Sequence, residues 1–313
     1  FGREVSQVTL AEQTIQLGLQ KIEDAAYHKL ALCSKHSLDT IEEYSPAHLD
    51  WQRRNPRTPT EAMRFGSAVH TYLLEHDEFT TRHPIAVQCS AILKSGKNAG
   101  NHCSNDASYM HGGAGYCGQH KPAGSETLAG AISRDDFEAI EAMAAAIYAQ
   151  PSAALVMKHQ DDEDDEEIAI ITEREVEGHR ILCKGKMDLW RPNSLNAIAD
   201  IKTTTNASPA EFQREMTDYG YFRQAAFYFD LAAAIGRPVS TFIFIAIEKT
   251  GPFGCACYTV ETTDASVEIA RDQNRKLMEI YARCERDGYW PGYPEAFNKI
   301  EMAPYAMRRA LQG

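Results

Sequence analysis

Three side chains that can bind a metal ion and move a proton lie close together in the second half of the chain. Asp200 and Lys202 are two residues apart, and Asp188 precedes Asp200 by twelve positions. Residues two apart on a β-strand share a face, so Asp200 and Lys202 point together while Ile201 points away. Two adjacent carboxylates favour a bound Mg²⁺ or Mn²⁺. A lysine beside them can orient or deprotonate water and neutralise a phosphoryl group, which predicts metal-dependent phosphodiester hydrolysis.

A predicted meander of three strands must position these residues. Apolar and β-branched residues bounded by turn residues predict strands at 168–172, 180–190 and 197–202. Mirroring the second hairpin about Ser194 places Asp188 opposite Asp200. We expect the odd positions from 181 to 189 to be buried. The even positions Lys184, Lys186 and Asp188 then form the polar face.

The remaining elements are predicted from apolar spacing and turn residues. A helix that includes His70 starts at Glu61. The first 50 residues are also expected to be helical, with apolar positions at Leu10, Ile15, Leu17 and Ile22, and Trp51–Thr60 is expected to be a loop. Further helices are predicted at 134–149, 208–236 with a kink at Gly220, and 265–286, and further strands at 241–247 and 255–260.

Composition limits the possible classes of protein. The chain has 313 residues, of which 43% are hydrophobic and 24% are charged. This composition is typical of a globular protein and excludes a disordered or collagen-like one. The longest apolar run, Val239–Ile247, is about half of the ~20 residues that cross a bilayer. No basic segment followed by an apolar one opens the chain, so we expect a cytoplasmic protein without a membrane span. The eight scattered cysteines are then expected to be reduced thiols or metal ligands.

The net charge of −12 argues against a generally basic nucleic-acid binder, but it is unevenly distributed. Seven acidic residues form one run, Asp161–Glu167, and we expect 158–167 to be a solvated acidic loop. Glu75 and Glu167 are each either a further carboxylate beside the site or part of a solvated face, and the solvated face is the expectation for both. A metal-dependent nuclease can bind DNA through a local basic rim and bound cations.

The chemistry-bearing residues resemble the PD-(D/E)XK nuclease signature. Asp188 followed by Asp200-Ile201-Lys202 matches it, with Gly-Lys-Met-Asp at 185–188 in place of the Pro-Asp half. Gln224 and Tyr228, four apart on one helical face, are similar to the Gln-x-x-x-Tyr element of the RecB, Cas4 and RecE branch. His70 is similar to the upstream metal-binding histidine of that branch. The chain most strongly resembles the C-terminal nuclease of RecE (exonuclease VIII). This resemblance covers roughly residue 27 to the end, apart from 88–124.

This resemblance implies an α/β, restriction-endonuclease-like core with a mixed central β-sheet flanked by helices, in a single nuclease domain over 1–313. It implies that Mg²⁺ or Mn²⁺ is bound by His70, Asp188, Asp200 and the carbonyl of Ile201, that Lys202 handles the water, and that Gln224 and Tyr228 line the DNA path. Lys184 and Lys186 either contact phosphate or keep their strand face soluble.

The resemblance also implies an activity and partners. The implied reaction is processive 5′-to-3′ digestion of one strand of linear double-stranded DNA from its ends. The implied assembly is a ring-shaped homo-oligomer that works beside a single-strand annealing protein of the RecT type. Such an enzyme generates single strands for DNA recombination of the phage kind.

A segment at 88–124 interrupts the pattern, because Gly, Asn, Ser, Cys and His dominate it and apolar periodicity is lost. We interpret it as a Cys/His-rich inserted loop. Its candidate ligands favour a closed tetrahedral structural zinc site, and are Cys89, Cys103, Cys117 and His120. His102 or His111 are alternative ligands, and a disordered loop with reduced thiols is the competing interpretation. Binding of DNA or a partner through Lys94, Lys97 and Lys121 is a further hypothesis.

Three other functions stay open. A nuclease of the Cas4 or AddB type would carry an iron–sulfur cluster, but its cysteines lie mostly near the C-terminus, where this chain has Cys284 alone. An endonuclease of the same superfamily would cut closed circular DNA. A zinc-bearing DNA-binding protein with an inactive nuclease fold would be expected to have lost Asp188, Asp200 or Lys202, and all three are present.

Overall fold

A mixed β-sheet of six strands forms the centre of the fold. In this computed structural model, the described residues are 7–10, 13–297, 299–302 and 304–312. The strands are β1 (Gln7–Leu10), β2 (Gln13–Gln16), β3 (Gly18–Lys21), β4 (Tyr109–His111), β5 (Ala114–Tyr116), β6 (Glu126–Thr127), β7 (Asp165–Val176), β8 (His179–Arg191), β9 (Ala197–Thr204), β10 (Thr241–Glu248) and β11 (Cys255–Glu261). The helices are α1 (Asp24–Lys29), α2 (Lys35–Glu43), α3 (Pro46–Arg54), α4 (Glu61–Leu74), α5 (His76–Arg82), α6 (Arg134–Ala149), α7 (Pro151–Met157), α8 (Pro209–Asp218), α9 (Tyr221–Ala234), α10 (Ala265–Asp287) and α11 (Pro304–Gln312).

The central sheet has the strand order β11-β10-β9-β8-β7-β3. β9 and β10 are parallel and are connected through α8 and α9, whereas the other neighbouring strands are antiparallel. β7, β8 and β9 form the expected meander. The β7–β8 turn consists of Glu177 at φ 50° and Gly178 at φ 72°, the left-handed pair typical of a tight hairpin. The predicted α/β architecture with a mixed sheet is confirmed.

Helices cover both faces of this sheet, and each face has its own hydrophobic core. On one face, Ile198 of β9 and Phe242 of β10 pack with side chains of α2, α3, α8, α9 and α10. On the other face, Ala199 and Ile201 of β9 pack with side chains of α4, α5, α6 and α7. Because alternate strand residues point to opposite faces, the nearly continuous apolar runs of β9 and β10 fill both cores.

The alternation of buried side chains along β8 changes phase at Asp188. Cys183 and Met187 pack in the core on the α9 side, but Leu189 packs in the core on the α4 side. The prediction of one buried odd-numbered face was therefore wrong for Leu189. On β7, Glu167 has a φ of 49°, which interrupts the regular pleat beside this point.

The first 50 residues begin with strands, which corrects the expectation of a helical start. β1 pairs with β2, and β3 pairs with β7 so that Leu19 lies opposite Ile170. Ile15 is buried against Leu32 and Ile171. The periodicity of a short apolar run does not distinguish a strand from a helix. Here the segment becomes a strand because the edge of β7 is available for pairing. The predicted loop after Trp51 was also too long, because α3 continues to residue 54.

The kink predicted at Gly220 is instead a break between two separate helices. α8 ends at Asp218, and Gly220 adopts a left-handed φ of 62° before α9 starts at Tyr221. Glycine populates this conformation without steric cost. The change of direction places α9 across the sheet face that carries Asp200.

The Cys/His-rich insertion lies between α5 and α6 and forms a small sheet of its own, with strand order β5-β4-β6. Its two ends meet in a parallel bridge between Ile85 and Ile132. The backbone N–H of Ile132 also donates to the carbonyl of Pro84 at 3.0 Å. We refer to residues 84–132 as the Cys/His module, which contains the predicted segment 88–124 and extends it to this base.

No helix among the described residues is long and apolar enough to cross a membrane by itself. α6 and α7 reach the required length and composition only together, and they are bent by 99° at their junction. Ile140 of α6 and Val156 of α7 are buried in the core on the α4 side of the sheet.

Candidate active site

Asp188 and Asp200 face each other where two strands separate. The β8–β9 ladder ends with Leu189 opposite Ala199, so its next position places Asp188 opposite Asp200, as the sequence predicted. Beyond this point β8 stays paired with β7, and β9 stays paired with β10. The carboxylate of Asp188 lies in the opening, and its Oδ2 accepts a hydrogen bond of 2.7 Å from the backbone N–H of Ile201.

The same hydrogen bond orients the carbonyl of Ile201. The N–H and C=O of one strand residue point toward the same neighbouring strand. Because the N–H of Ile201 points to Asp188, its C=O also faces the opening between β8 and β9. The Ile201 side chain packs in the core on the α4 side. The carbonyl therefore faces the same opening as the carboxylate of Asp188.

Asp200 is buried and lies between an amide and an ammonium group. Its Oδ1 accepts a hydrogen bond from Nε2 of Gln224. Its Oδ2 lies 2.6 Å from Nζ of Lys202 but has no partner of hydrogen-bond geometry among the described residues. Burial raises the pKa of Asp200, Lys202 opposes this shift, and the charge of Asp188 adds to it. A cation at Oδ2 would use a buried lone pair that is left without a hydrogen bond.

Lys202 is positioned by an aromatic ring as well as by Asp200. Its Nζ lies 4.7 Å from the centre of the Tyr221 ring, within the range of a cation–π interaction. The side chain is 21% exposed, so its ammonium group borders the opening. Lys202 and Asp200 share a face of β9, as predicted from their spacing.

His70 reaches the site from α4, on the other side of the sheet. Thr60 caps this helix through its hydroxyl, which accepts a hydrogen bond from Met63 N–H. The Nδ1 atom of His70 lies 3.4 Å from Oδ2 of Asp188. Burial lowers the pKa of His70, but the nearby carboxylates, led by Asp188, outweigh burial and raise the pKa to about 9. The structure thus brings His70 to the predicted metal ligands.

Glu167 joins this group, although the sequence predicted a solvated position for it. β7 begins at Asp165, three residues before the predicted strand, and its register places Glu167 opposite Asp188. The side chain is 14% exposed, and it forms an ion pair of 2.7 Å with Lys186. Burial raises its pKa to about 7, and the charge of Asp188 contributes to the shift. The signal that could have found Glu167 is the register of β7 extended by one residue beyond Ile168.

The donor set suits a hard divalent cation. The ligand atoms of His70, Glu167 and Asp188 all lie within 4.8 Å of one another. Asp200, across the β8–β9 opening, is not in this group of three, but it is close enough for the charge of Asp188 to raise its pKa. Two of the three donors in the group are carboxylates. Oxygen ligands together with one imidazole suit Mg²⁺ or Mn²⁺ rather than a soft metal.

Gln224 and Tyr228 lie one helical turn apart on α9 and hold the site from one face. Gln224 binds Asp200, and the hydroxyl of Tyr228 donates to the carbonyl of Lys186 at 2.9 Å. Gly185 makes this packing possible, because a Cβ atom there would lie 2.1 Å from the Tyr228 ring. Both side chains also line a cleft of 650 Å³ beside the site.

The two lysines predicted on β8 occupy different environments. Lys184 is buried, donates a hydrogen bond of 2.6 Å to the carbonyl of Tyr27 and lines the same cleft. Burial lowers its pKa to about 8, and the charge of Arg53 contributes. Lys186 forms ion pairs with Asp24 and Glu167. Lys186 thus neutralises a carboxylate of the site, and Lys184 provides positive charge in the wall of the cleft.

The four predicted ligands of the insertion also converge. The ligand atoms of Cys89, Cys103, Cys117 and His120 all lie within 4.8 Å of one another. Nδ1 of His120 lies 3.3 Å from Sγ of Cys117 and 3.7 Å from Sγ of Cys89. The alternative ligands His102 and His111 lie outside this cluster and are exposed.

The PD-(D/E)XK nuclease fold is defined by a mixed sheet in which two strands diverge between two acidic residues. A lysine lies two residues beyond the second of them. The model of a family described as "PDDEXK-like domain of unknown function (DUF3799)" matches residues 25–302, and the chain belongs to this family. No curated protein matches the chain.

Several solved structures match this chain, among them the following two. One is described as a "putative exonuclease" from Eubacterium rectale; the similarity covers 94% of this chain and 99% of that chain, with a TM-score of 0.55 and 16% identity. This similarity supports the fold. The other, named SSO0001, covers 46% of this chain and 68% of that chain at 16% identity, and its TM-score of 0.28 is too low to bear on the fold.

Proposed function

We propose that this chain is a metal-dependent nuclease that hydrolyses phosphodiester bonds at the ends of linear double-stranded DNA. The observation that supports this most is the convergence of Glu167, Asp188, Asp200 and Lys202 at the opening between β8 and β9. Such a group combines a binding site for a divalent cation with an ammonium group. Phosphodiester hydrolysis requires both, because negative charge must be neutralised while water attacks.

Each residue of the site has a distinct part in this proposal. His70, Glu167, Asp188, Asp200 and the carbonyl of Ile201 would hold Mg²⁺ or Mn²⁺. A bound divalent cation polarises the phosphate and lowers the pKa of water.

Lys202 orients the attacking water and balances charge on the phosphoryl oxygens. Gln224 fixes the rotamer of Asp200 through its amide, and Tyr228 fixes the β8 backbone at Lys186. These contacts keep the reacting groups in place before the substrate binds, which lowers the reorganisation needed for reaction.

The 650 Å³ cleft beside Gln224 and Tyr228 supports nucleic acid as the substrate. Its lining includes the basic side chains Lys35, Arg53 and Lys184. Lys184 forms no ion pair with any described residue, so its buried positive charge is not neutralised by a carboxylate. A phosphate of the substrate strand would supply the missing negative charge. DNA can thus be held locally although the whole chain is acidic.

Attack from an end is supported by the resemblance of the motif to the RecE nuclease and by the name of the similar protein from Eubacterium rectale. The same resemblance supports 5′-to-3′ polarity, a ring-shaped homo-oligomer and a single-strand annealing protein as partner, in recombination of the phage kind. These finer features are part of the proposal.

The decisive experiment compares linear and closed circular duplexes, with linear DNA labelled separately at each 5′ end and at each 3′ end. We expect Mg²⁺-dependent loss of the 5′ label from linear DNA, no cutting of circles, and no reaction with EDTA or with Asp200→Asn. Cutting of circles would replace the exonuclease by an endonuclease. No hydrolysis of either substrate with Mg²⁺ or Mn²⁺ would contradict the proposed activity.

A further inference from the structure

The Cys/His module contains a second cluster of metal-ligating side chains, separate from the first. Cys89, Cys103 and Cys117 are buried, at 1%, 4% and 4% exposure. In a tetrahedral site with Zn–S bonds of about 2.3 Å, neighbouring ligand atoms are about 3.7 Å apart. The His120–Cys117 and His120–Cys89 separations of 3.3 and 3.7 Å agree with such a site.

The chemistry of this cluster differs from that of the nuclease site. Three thiolates and one imidazole are soft or borderline ligands, which favour zinc over magnesium. Four protein ligands fill a tetrahedron and leave no position for water or substrate, which is typical of a structural zinc site rather than a catalytic one. The cluster therefore holds the module together.

A chain of contacts connects the cluster to the core of the protein. Asp106 follows the ligand Cys103 by three residues, and both of its carboxylate oxygens bind Arg134, at 2.6 and 3.0 Å. Arg134 is the first residue of α6 and also donates to the carbonyl of Ser104. Between them, the backbone N–H of Cys89 donates to the carbonyl of Asn105. The loop 104–106 thus transmits the position of the cluster to the start of α6.

The start of α6 and the base of the module form one wall of a groove of 860 Å³. The opposite wall is the first half of α4, from Glu61 to Ser67, which precedes His70 on the same helix. Gly66 lies against β9 here, since a Cβ atom on it would be 3.9 Å from Oγ1 of Thr203. His28 lines both this groove and the 650 Å³ cleft. The groove and the cleft therefore border each other at His28, and the cleft is also lined by Gln224, which binds Asp200.

The charges along the groove favour an anionic polymer. Arg64 and Lys249 line it, and neither forms an ion pair with any described residue. The module itself contains three lysines against Asp106 and Glu126, a net charge of +1, but these lysines do not line the groove. The acidic side chains Glu61 and Asp136 also line the groove, and Arg82 there is paired with Glu75, so the attraction for an anion comes from Arg64 and Lys249.

We propose that Cys89, Cys103, Cys117 and His120 bind one structural Zn²⁺, which holds the module as the wall of a groove that binds a strand of the substrate DNA next to the cleavage site. The zinc assignment is independent of the nuclease activity, whereas the role of the groove rests on the proposed function. Arg64 of α4 and Lys249, which follows β10, contact phosphates of that strand.

The metal is tested first, on purified full-length protein by elemental analysis and native mass spectrometry. We expect one zinc per chain, a colourless protein, and loss of the zinc in Cys117→Ser. Cys255→Ser, a partly buried cysteine outside the module, is the matched control and keeps the zinc. Protein with no zinc after purification and none bound when Zn²⁺ is added would overturn the assignment, as would an iron–sulfur absorption spectrum.

The groove is tested by binding of a fluorescent duplex with a single-stranded overhang, measured by anisotropy without Mg²⁺ at several salt concentrations. For Arg64→Ala/Lys249→Ala we expect at least about tenfold weaker binding and a salt slope smaller by about 1.8, the value for two lost phosphate contacts. Arg275→Ala/Lys276→Ala on α10 removes the same charge away from the groove and should bind like wild type. Equal binding by the groove variant and wild type would overturn the role of the groove.

Asp106→Asn tests the effect of the module's position on DNA binding separately from the effect of the metal. This variant keeps all four ligands but weakens the tie to Arg134, so we expect full zinc content with weakened binding of the same duplex. Retained zinc with unchanged binding would contradict the proposed transmission through the loop 104–106. Failure of the nuclease proposal has a different signature, namely wild-type protein that binds DNA and zinc but hydrolyses no DNA.

Discussion

The carboxylate of Asp188 accepts a hydrogen bond of 2.7 Å from the backbone N–H of Ile201, across the opening where β8 and β9 separate. The last pair of the β8–β9 ladder is Leu189 and Ala199, and beyond it this hydrogen bond links the two strands. The bond holds the carboxylate in the plane between the two layers of helices, where His70 approaches from α4 and Asp200 is held by α9. A cation can therefore be bound from both sides of the sheet at one point.

Asp200→Asn should abolish hydrolysis, with a loss of at least about a hundredfold, because it removes a charged ligand while keeping the shape of the side chain. Burial raises the pKa of Asp200, so its ionised form is unfavourable in the metal-free fold. We therefore expect the thermal midpoint of the variant in EDTA to equal or exceed that of wild type. Asp218→Asn, at the exposed end of α8, is the control. Wild-type turnover by Asp200→Asn would show that the site lies elsewhere.

Glu167→Gln should change how stability depends on pH in metal-free buffer. The pKa of Glu167 rises from 4.5 to about 7, so its protonated form favours the fold. This stabilisation is fully present below pH 4.5 and is lost as the pH rises through about 7. Because the amide stays uncharged, the variant should match wild type at low pH and exceed it above pH 7, in thermal melts with EDTA. Its Mg²⁺-dependent activity should fall by about 10–100-fold. Parallel stability curves across this pH range would contradict the buried position of Glu167.

Binding of Mg²⁺ should release protons and become tighter as the pH rises toward 9. The pKa of His70 is about 9 without metal, because the neighbouring carboxylates outweigh the effect of burial. A metal ligand must be the neutral imidazole, so binding below this pH displaces a proton. Calorimetry in buffers of different ionisation enthalpy measures the release. His70→Gln should weaken binding and reduce its pH dependence, whereas His76→Gln outside the site should not. Affinity that stays constant from pH 6.5 to 9 would exclude His70 as a ligand.

Gly185→Ala should destabilise the protein by about 1–3 kcal/mol, the usual cost of overpacking a buried site. The added Cβ atom would meet the Tyr228 ring, whose hydroxyl is anchored on Lys186. Gly66→Ala is the matched control, since its Cβ atom has 3.9 Å of space and alanine favours the helix by about 0.5–1 kcal/mol. Urea titrations compare the two variants. Equal stability of Gly185→Ala and wild type would mean that Tyr228 can move away freely.

Local patterns were sufficient to predict much of the fold and of the site. The strands of the meander, the helix that contains His70 and the position of the break at Gly220 follow from spacing and turn residues over short segments. The hairpin mirror at Ser194 was enough to pair Asp188 with Asp200. Such features depend on backbone periodicity, which is a property of neighbouring residues.

Other features depended on surroundings that a local pattern does not contain. Glu167 belongs to an acidic run, and only its pairing opposite Asp188 buries it. β3 is a strand because the edge of β7 is available to it, although its own residues suggested a helix.

The sequence by itself determined which groups can react and how those on neighbouring strands are paired, because ligand type and strand register are written in consecutive residues. The tertiary structure decided which distant groups meet them. His70 and Gln224 reach the site through helix packing, and the carboxylates that meet His70 there raise its pKa. That arrangement depends on the packing of the whole chain, so it could be observed only in the folded protein.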